Sequence, residues 1–357
     1  MRVLVVNAGS SSLKLRLLDG DDTTLANADL PAQRGRFDAA AARDALGAMP
    51  AADAAGHRVV HGGERFVTAT RLTPEVTAAI RELIPLAPLQ QPATLRGIDL
   101  AGDLLPGTPA VACFDTAFHS TLSETARTYA LPEDWRRRFG VRRFGFHGLS
   151  HAWVARRAGE MLGDRARRLV SCHLGSGASL AAIAGGVSVD TTMGFTPLEG
   201  LVMSTRSGSV DPGMLLWLQD AAGLGPAEML DALDRSSGLL GLCGTADVHE
   251  VVVRADAGDP RARLALDVYV HRIAASAAAM AVSLDGLDAI AFTGGVGENS
   301  AEIRAAVCAR LGLLGIDIDE EDNRSGSGDR RIGPSALVIA SREDRTIAAE
   351  VRRLLSA

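Results

Sequence analysis

Four residues of this 357-residue chain stand in segments whose residue types and spacing could do chemistry: Arg58, Asp115, His147 and Arg206. In HRVVHGGE (57–64) strand alternation puts Arg58 and Val60 on one face and His57 and Val59 on the other. That pairs a bidentate guanidinium for a carboxylate or phosphate with an apolar neighbour for a short acyl chain. FDTAFH (114–119) sets Asp115 at the C-terminal end of an apolar strand, where α/β proteins collect active-site groups. MSTRSGSVDP (203–212) carries Arg206 in a polar, glycine-containing loop just before a helix start. Taken singly, each arginine defaults to a surface ion-pair partner. RRFGFHGLSH (142–151) offers His147 and His151 four apart, but there is no HExxH, so core or helix-capping histidines are the default over a metal pair.

A second set of motifs suits phosphates. In NAGSSSLK (7–14), Asn7, Ser10, Ser11, Ser12 and Lys14 supply donors for phosphate oxygens and a carboxamide suited to Mg²⁺-bound water. Lys14 is the only lysine in the chain, a compact ammonium kept where a guanidinium is no substitute. After the glycine, Leu13, Leu15 and Leu17 alternate with Ser12, Lys14 and Arg16, so the device is a β-hairpin and not the strand-to-helix GxxxxGK[ST] loop. RLVSCHLGSGASLAAIAGG (168–186) repeats the layout. Superposing Gly9 on Gly175 places Asn7 over His173 and Ser10 over Ser176, which suggests a duplicated fold that grips a nucleotide, with a chance likeness of two Gly/Ser turns as the alternative. FTGGVGENS (292–300) lets backbone approach a ligand closely and ends in a helix cap.

The elements that must position these groups alternate between strand and helix. Strands are expected at Arg58–Val60, Ala110–Phe114, Leu169–His173, Leu180–Ile183, Ala289–Thr293 and Ala336–Ala340. Helices are expected at Pro74–Ile84, Gly148–Leu162, Pro212–Ala222, Pro226–Leu233, Pro260–Leu284, Ser300–Leu313 and Glu343–Leu355, with Asp211 and Asp259 as caps. Residues 32–56 read as Ala-rich with little strand character and 321–334 as a polar loop. The mixture implies α/β layers.

Composition limits the partners. A net charge of -6 argues against nucleic acid or an anionic membrane surface, and 4% aromatics against base stacking. Cys113, Cys172, Cys243 and Cys308 form no CxxC pair, which fits a reducing, cytoplasmic location. The apolar run Val3–Val6 is too short for a leader. Ile273–Leu284, the most apolar helical stretch, falls short of the ~20 residues that span a bilayer.

Read in order, NAGSSSLK, HRVVHGG, PLAPL, FDTAFH, RRFGFHG.SH, HLG.G.S, SVDTTMGFTPLEGL, TRSG..DP and FTGGVGENS make the chain resemble the acetate kinases over nearly its whole length. The resemblance implies a duplicated ribonuclease H-like fold of the actin and sugar-kinase type, with the active site in the interlobe cleft. It divides the chain into a lobe of residues 1–150 plus the helix 343–357 and a nucleotide-binding, dimerising lobe of residues 151–342. It also implies reversible phosphoryl transfer from ATP to acetate, giving acetyl phosphate and ADP. Asn7 and Glu343 would hold Mg²⁺ (Mn²⁺ substituting), largely through water. Ser12, Lys14 and the loop His173, Gly175, Ser176, Gly177 would face the phosphates. Arg58 would take the carboxylate, with Val60, Leu89, Phe146 and Pro197 around its methyl group. Asp115 would orient that arginine or the reacting groups, and His147 and Arg206 would stabilise the transferring phosphoryl. Asp247, His249, Gly295, Val296, Gly297, Glu298 and Asn299 would border the adenosine. A homodimer is implied, with helix 260–284 as a candidate face.

The chain departs from that pattern in several places. The family's PLHNP reads Pro88-Leu89-Gln90-Gln91-Pro92, its HLGNG reads HLGSG, its adenosine segment reads GTADVHE with His249 in place of Arg, and its Thr-Asn-Glu-Glu reads Ser341-Arg342-Glu343-Asp344. The chain is also shorter than the family norm, the shortfall being expected in residues 20–56. Two alternatives stand beside the acetate kinase reading: a kinase for propionate or another small carboxylate, and a catalytically weak nucleotide-binding sensor of the same fold.

Overall fold

The computed structural model describes residues 1–9, 12–33, 35–88 and 90–356. They fall into two compact units, one of Met1–Ser120, Phe146–Trp153 and Arg342–Ala357, the other of Thr121–Gly145 and Val154–Ser341.

The first unit is built on β1 (Val3–Ala8), β2 (Ser12–Leu18), β3 (Thr24–Gln33), β4 (Arg36–Phe37), β5 (Ala54–Val59), β6 (Thr70–Arg71) and β7 (Ala110–Phe114), in the order β4-β3-β2-β1-β5-β7-β6. Strands β1, β2 and β3 form an antiparallel meander, while β1, β5 and β7 run parallel. Period-two alternation sorts the side chains of the three parallel strands. Leu4, Val6 and Ala8 of β1 meet Leu100 and Ala101 of helix Gln91–Leu104. Val59, Ala112 and Phe114 pack with Leu95 and Ile98 of the same helix. The opposite face, with Val3, Val5, Val111 and Cys113, meets Ile347, Ala348 and Val351 of helix Glu343–Leu355.

The second unit repeats the plan with β8 (Arg168–Leu174), β9 (Ala178–Ala184), β10 (Val187–Thr191), β11 (Ala289–Thr293), β12 (Arg330–Arg331) and β13 (Ala336–Val338). Its order, β10-β9-β8-β11-β13-β12, matches β3-β2-β1-β5-β7-β6, with the same antiparallel meander, the same three parallel strands and the same antiparallel edge. The two hairpins correspond as the sequence repeat suggests. Ala8↔Leu13 and Leu174↔Ala178 close them, and the N–H groups of Gly9 and Gly175 donate back across the turns to Ser12 (2.8 Å) and Gly177 (3.0 Å). Asn7 and His173 thus stand two residues before equivalent glycines, and the expected Ser10–Ser176 match lies outside the described residues.

Most of the expected elements form within a few residues of their expected ends, with Asp211 and Asp259 as caps. Residues 32–56 hold little strand, as expected: the two-residue β4, the ends of β3 and β5, and helix Ala39–Gly47, which Asp38 caps. The ten-residue strand β3 has no counterpart among the expected elements. In β3 only the small Ala26 and Ala28 and Leu30 pack inward, so its alternation is weak, and alanine, Asn and Asp are poor strand formers. The lobe boundary differs as well. Residues 121–145 belong to the second unit because Tyr129 and Arg143 both bond Glu199 there, Arg143 at 2.8 Å.

Helix Pro260–Ser283 is longer than the apolar stretch its sequence suggested. With 24 residues it is long and apolar enough to cross a membrane, but half of that apolar window is buried, with Tyr269, Ile273 and Ala277 in the second unit's core. Leu264 and Val282 on its outer side are exposed. Helix Pro212–Ala222 is the more exposed apolar element: none of its residues is buried, and Leu216 and Trp217 are 68% and 65% exposed.

Gly56 is where helix Glu343–Leu355 rests on β5. A Cβ there would lie 2.5 Å from Ile347 Cγ2 and 2.7 Å from Val351 Cγ2, both on fully buried β-branched side chains with little room to turn. Gly56→Ala should therefore cost about 1–3 kcal/mol of stability, as overpacking does, read as a lower denaturant midpoint at unchanged slope. An unchanged midpoint would mean that the helix is not seated against β5.

Candidate functional site

The face that helix Glu343–Leu355 covers carries polar groups where the parallel strands end. Continuing Val3 and Val5 brings up Asn7, two residues beyond Gly56 is Arg58, and continuing Val111 and Cys113 brings up Asp115. The N–H of Asp115 bonds the carbonyl of Val59 at 2.9 Å, so the ladder still holds at that point. The covering helix starts with Glu343. The four side chains meet: Arg58 Nε donates to Asp115 Oδ1 at 3.0 Å and Nη2 to Oδ2 at 2.5 Å. Arg58 Nη1 donates to Asn7 Oδ1 and Asn7 Nδ2 to Glu343 Oε2, each at 3.3 Å, and Arg58 Nε lies 3.8 Å from Glu343. Lys14 sits directly opposite Asn7 across the β1–β2 ladder and so shares this face, as does Ser12 by alternation.

Burial sets the electrostatics. The Asp115 side chain is 1% exposed and that of Arg58 18%. Burial pushes the Asp115 carboxyl up to about 6, with Glu343 adding to the rise and the charge and hydrogen bonds of Arg58 pulling against it. For Arg58 burial opposes the charge, but Asp115 and Glu343 outweigh it and hold the guanidinium protonated beyond its ordinary range. The pair is ionic at neutral pH.

His147 is held next to Asp115 by backbone. The N–H of Gly148 donates to the Asp115 carbonyl at 2.9 Å, and a Cβ on Gly148 would come within 2.2 Å of that oxygen. His119 Nε2 lies 3.0 Å from the Phe146 carbonyl on the other side. Between these ties His147 adopts φ 56°, a left-handed conformation that costs energy in a non-glycine residue and persists because its neighbours are fixed. His151 bonds the His147 carbonyl through its own N–H (3.0 Å), and its buried ring stacks edge-on near His119. Among the described residues no group of three or more His, Cys, Asp or Glu is placed to hold a metal ion. Phe146, 1% exposed, packs edge-on against His61 at 5.3 Å, and Val60 is also buried. Leu89 lies outside the described residues.

In the second unit, Arg206 Nε donates to Asp234 Oδ1 at 2.9 Å and Nη1 to the Pro197 carbonyl at 3.4 Å. A separate cavity of about 380 Å³ gathers Ser176, Asp247, His249, Gly295, Val296 and Asn299, together with Ser204, Ser300 and Glu302. His173, Gly175 and Gly177 belong to the adjoining hairpin but not to its wall. Within the cavity the Asp247 carboxylate is committed to capping helix Val248–Asp256, accepting the N–H of His249 at 2.8 Å. FTGGVGENS folds as strand β11 followed at once by the short helix Gly294–Asn299. Two of its expected adenosine residues face elsewhere. Glu298 accepts the N–H of Ser341 at 3.0 Å, and the Gly297 carbonyl takes a bond from the buried guanidinium of Arg304 at 2.9 Å.

Sequence reading missed three supports of these sites. Gln91 is fully buried and bonds both the N–H (3.2 Å) and the carbonyl (3.1 Å) of His61, next to Val60. Arg304 also bonds Glu298 and Asn323, bracing the helix that lines the cavity. Asp234 holds Arg206. Each acts through another residue, and the only signal of such a role in sequence is a polar residue at a buried helix position.

Two oxygen-bearing side chains, Asn7 and Glu343, fit a Mg²⁺ ion bound mostly by water and substrate phosphate, since that ion keeps several waters and takes one or two carboxylates.

The chain is similar to known proteins over nearly its whole length. The Acetokinase family matches residues 36–349. The chain is 46% identical to an acetate kinase of Deinococcus radiodurans over 98% of this chain and 97% of that protein, and 43% identical to a propionate kinase of Citrobacter rodentium over 99% and 96%. The crystal structure of Porphyromonas gingivalis acetate kinase superposes with a TM-score of 0.89 at 38% identity, covering 99% of both chains. Matched over most of its length and end to end by such relatives, the chain belongs to the acetokinase family.

Proposed function

We infer that this protein is an acetate kinase, transferring the γ-phosphoryl group of ATP to the carboxylate of acetate to give acetyl phosphate and ADP, and running the reverse. The observation that supports the reading is the buried fork of Arg58 on Asp115 beside Asn7 and Glu343, which would suit a small anion next to a metal-bound phosphate.

A carboxylate is already a nucleophile at neutral pH, so no strong base is required. The barrier lies in bringing two anions together and in the charge on the phosphoryl oxygens. Arg58, kept charged and aimed by Asp115, would bind the carboxylate, with Val60 and Phe146 against the methyl group and Leu89 and Pro197 in the same role. Ser12, Lys14, His173, Gly175, Ser176 and Gly177 would hold the phosphates, and His147 and Arg206 would meet the charge that develops on the transferring group. Mg²⁺, or Mn²⁺ in its place, would neutralise the phosphate oxygens while held through Asn7 and Glu343. The 380 Å³ cavity would take the nucleoside, Asp247 shaping it as a helix cap. A second copy of the chain over Leu216 and Trp217 would complete a homodimer.

The likeness to a propionate kinase keeps the longer acid as the second reading. One experiment separates the two: purified protein with ATP, Mg²⁺ and either acid, the acyl phosphate trapped as hydroxamate. The account expects the higher kcat/KM with acetate. A preference for propionate would favour the second reading, and no trapped product from either acid would overturn both.

The titration of Asp115 adds a pH signature. Protonation below about 6 removes the negative partner that aims Arg58, so kcat/KM for acetate should fall about tenfold per pH unit below that midpoint. A simple carboxylic acid remains ionised until roughly 4–5, so the limb belongs to the enzyme. A midpoint in the substrate's own range would contradict the role given to Asp115.

A further inference from the structure

We propose that Asp234 is the positioning residue of Arg206, fixing which edge of the guanidinium meets the transferring phosphoryl group; this rests on the role given to Arg206 above. A guanidinium carries five N–H donors in a planar fork. In Arg206 the Nε donor goes to Asp234 Oδ1 at 2.9 Å, and Nη1 reaches the Pro197 carbonyl at 3.4 Å and the Met203 sulfur at 3.8 Å. Among the described residues Nη2 bonds no protein acceptor. The side chains of Arg206 and Asp234 are only 18% and 13% exposed, so this is not a loose surface pair.

The grip differs from that on Arg58 in a way that suits a different task. Asp115 takes both Nε and Nη2 of Arg58, whereas Asp234 takes Nε alone and leaves the far edge of the Arg206 fork clear. A carboxylate beside a catalytic cation partly offsets its charge, so its benefit must come from geometry. A misplacement of about 1 Å in a phosphoryl-stabilising group is enough to cost on the order of 10²-fold in rate.

Asp234 is itself fixed. Thr205 Oγ1 donates to the Asp234 carbonyl at 2.8 Å, and the N–H of Ser207 donates to the Leu233 carbonyl at 2.9 Å, so the residues on either side of Arg206 are tied to Asp234 and its neighbour. The loop is closed from beneath by Gly238 at φ 61°, where a Cβ would stand 2.2 Å from the Met203 carbonyl. Arg206 and Asp234 are therefore held in register by backbone as well as by their ion pair.

The test compares Asp234→Ala and Asp234→Asn in the wild-type and Arg206→Ala backgrounds, measuring kcat and KM for acetate and ATP by hydroxamate trapping. Asp234→Ala should lower kcat about 10- to 100-fold with both KM values nearly unchanged. Asp234→Asn, which keeps an oxygen acceptor for Nε, should restore most of that loss. In the Arg206→Ala background Asp234→Ala should cost nothing further, because there is no fork left to aim. Wild-type kcat in Asp234→Ala, or an equal loss in both backgrounds, would overturn the proposal. Failure of the underlying functional reading would show separately, as a wild-type protein that traps no acyl phosphate.

Discussion

A guanidinium and a carboxylate held out of water at the end of a parallel sheet set the terms for the first unit. Separating Arg58 from Asp115 would leave a charge stranded where one side chain is 1% exposed, a cost of several kcal/mol by comparison with broken buried pairs elsewhere. Their neighbours keep them together. Three strands in register deliver Asn7, Arg58 and Asp115 to one face, and the C-terminal helix closes that face with apolar side chains and begins with Glu343. The same backbone oxygen that follows from Asp115 ties down Gly148 and with it the strained His147. This polar cluster is thus assembled from residues spread from position 7 to 343, the last of them supplied where the chain returns to its first unit.

The two halves share one scaffold. The corresponding hairpins place Asn7 in one unit and His173 in the other, each two residues before a glycine whose N–H bonds back across the turn. The first unit ends its strands on a buried ion pair, while the second builds a cavity of about 380 Å³ from the helix after β11 and the cap of helix Val248–Asp256. In each unit a candidate site arginine is held by an aspartate, Arg58 through two nitrogens and Arg206 through one.

Much of this was legible in sequence where local chemistry decides structure. Alternation marked β2, an apolar run marked β7, Asp-Pro starts marked two helices, and the Gly-Ser repeat pointed to duplication before any fold was visible. Strand β3 escaped because alanine alternating with Asn and Asp gives little contrast between faces. Arg58, Asp115 and Glu343 stood out by type and motif, but their mutual contact depends on strands paired across more than fifty residues and a helix from the far end of the chain. Asp234, Gln91 and Arg304 had no motif at all, since their role comes from what they hold. Glu298, in contrast, matched a motif and serves the backbone of Ser341.

The central claim is that Asp115 works through Arg58. The KM for acetate in Asp115→Asn, in Arg58→Ala and in the double variant tests it most directly. If Asp115 aims the guanidinium, Asp115→Asn raises KM for acetate, Arg58→Ala raises it further, and the double variant matches Arg58→Ala alone. An Asp115→Asn protein with normal KM and a loss confined to kcat, or a double variant whose losses multiply, would mean that Asp115 acts on the reacting groups themselves.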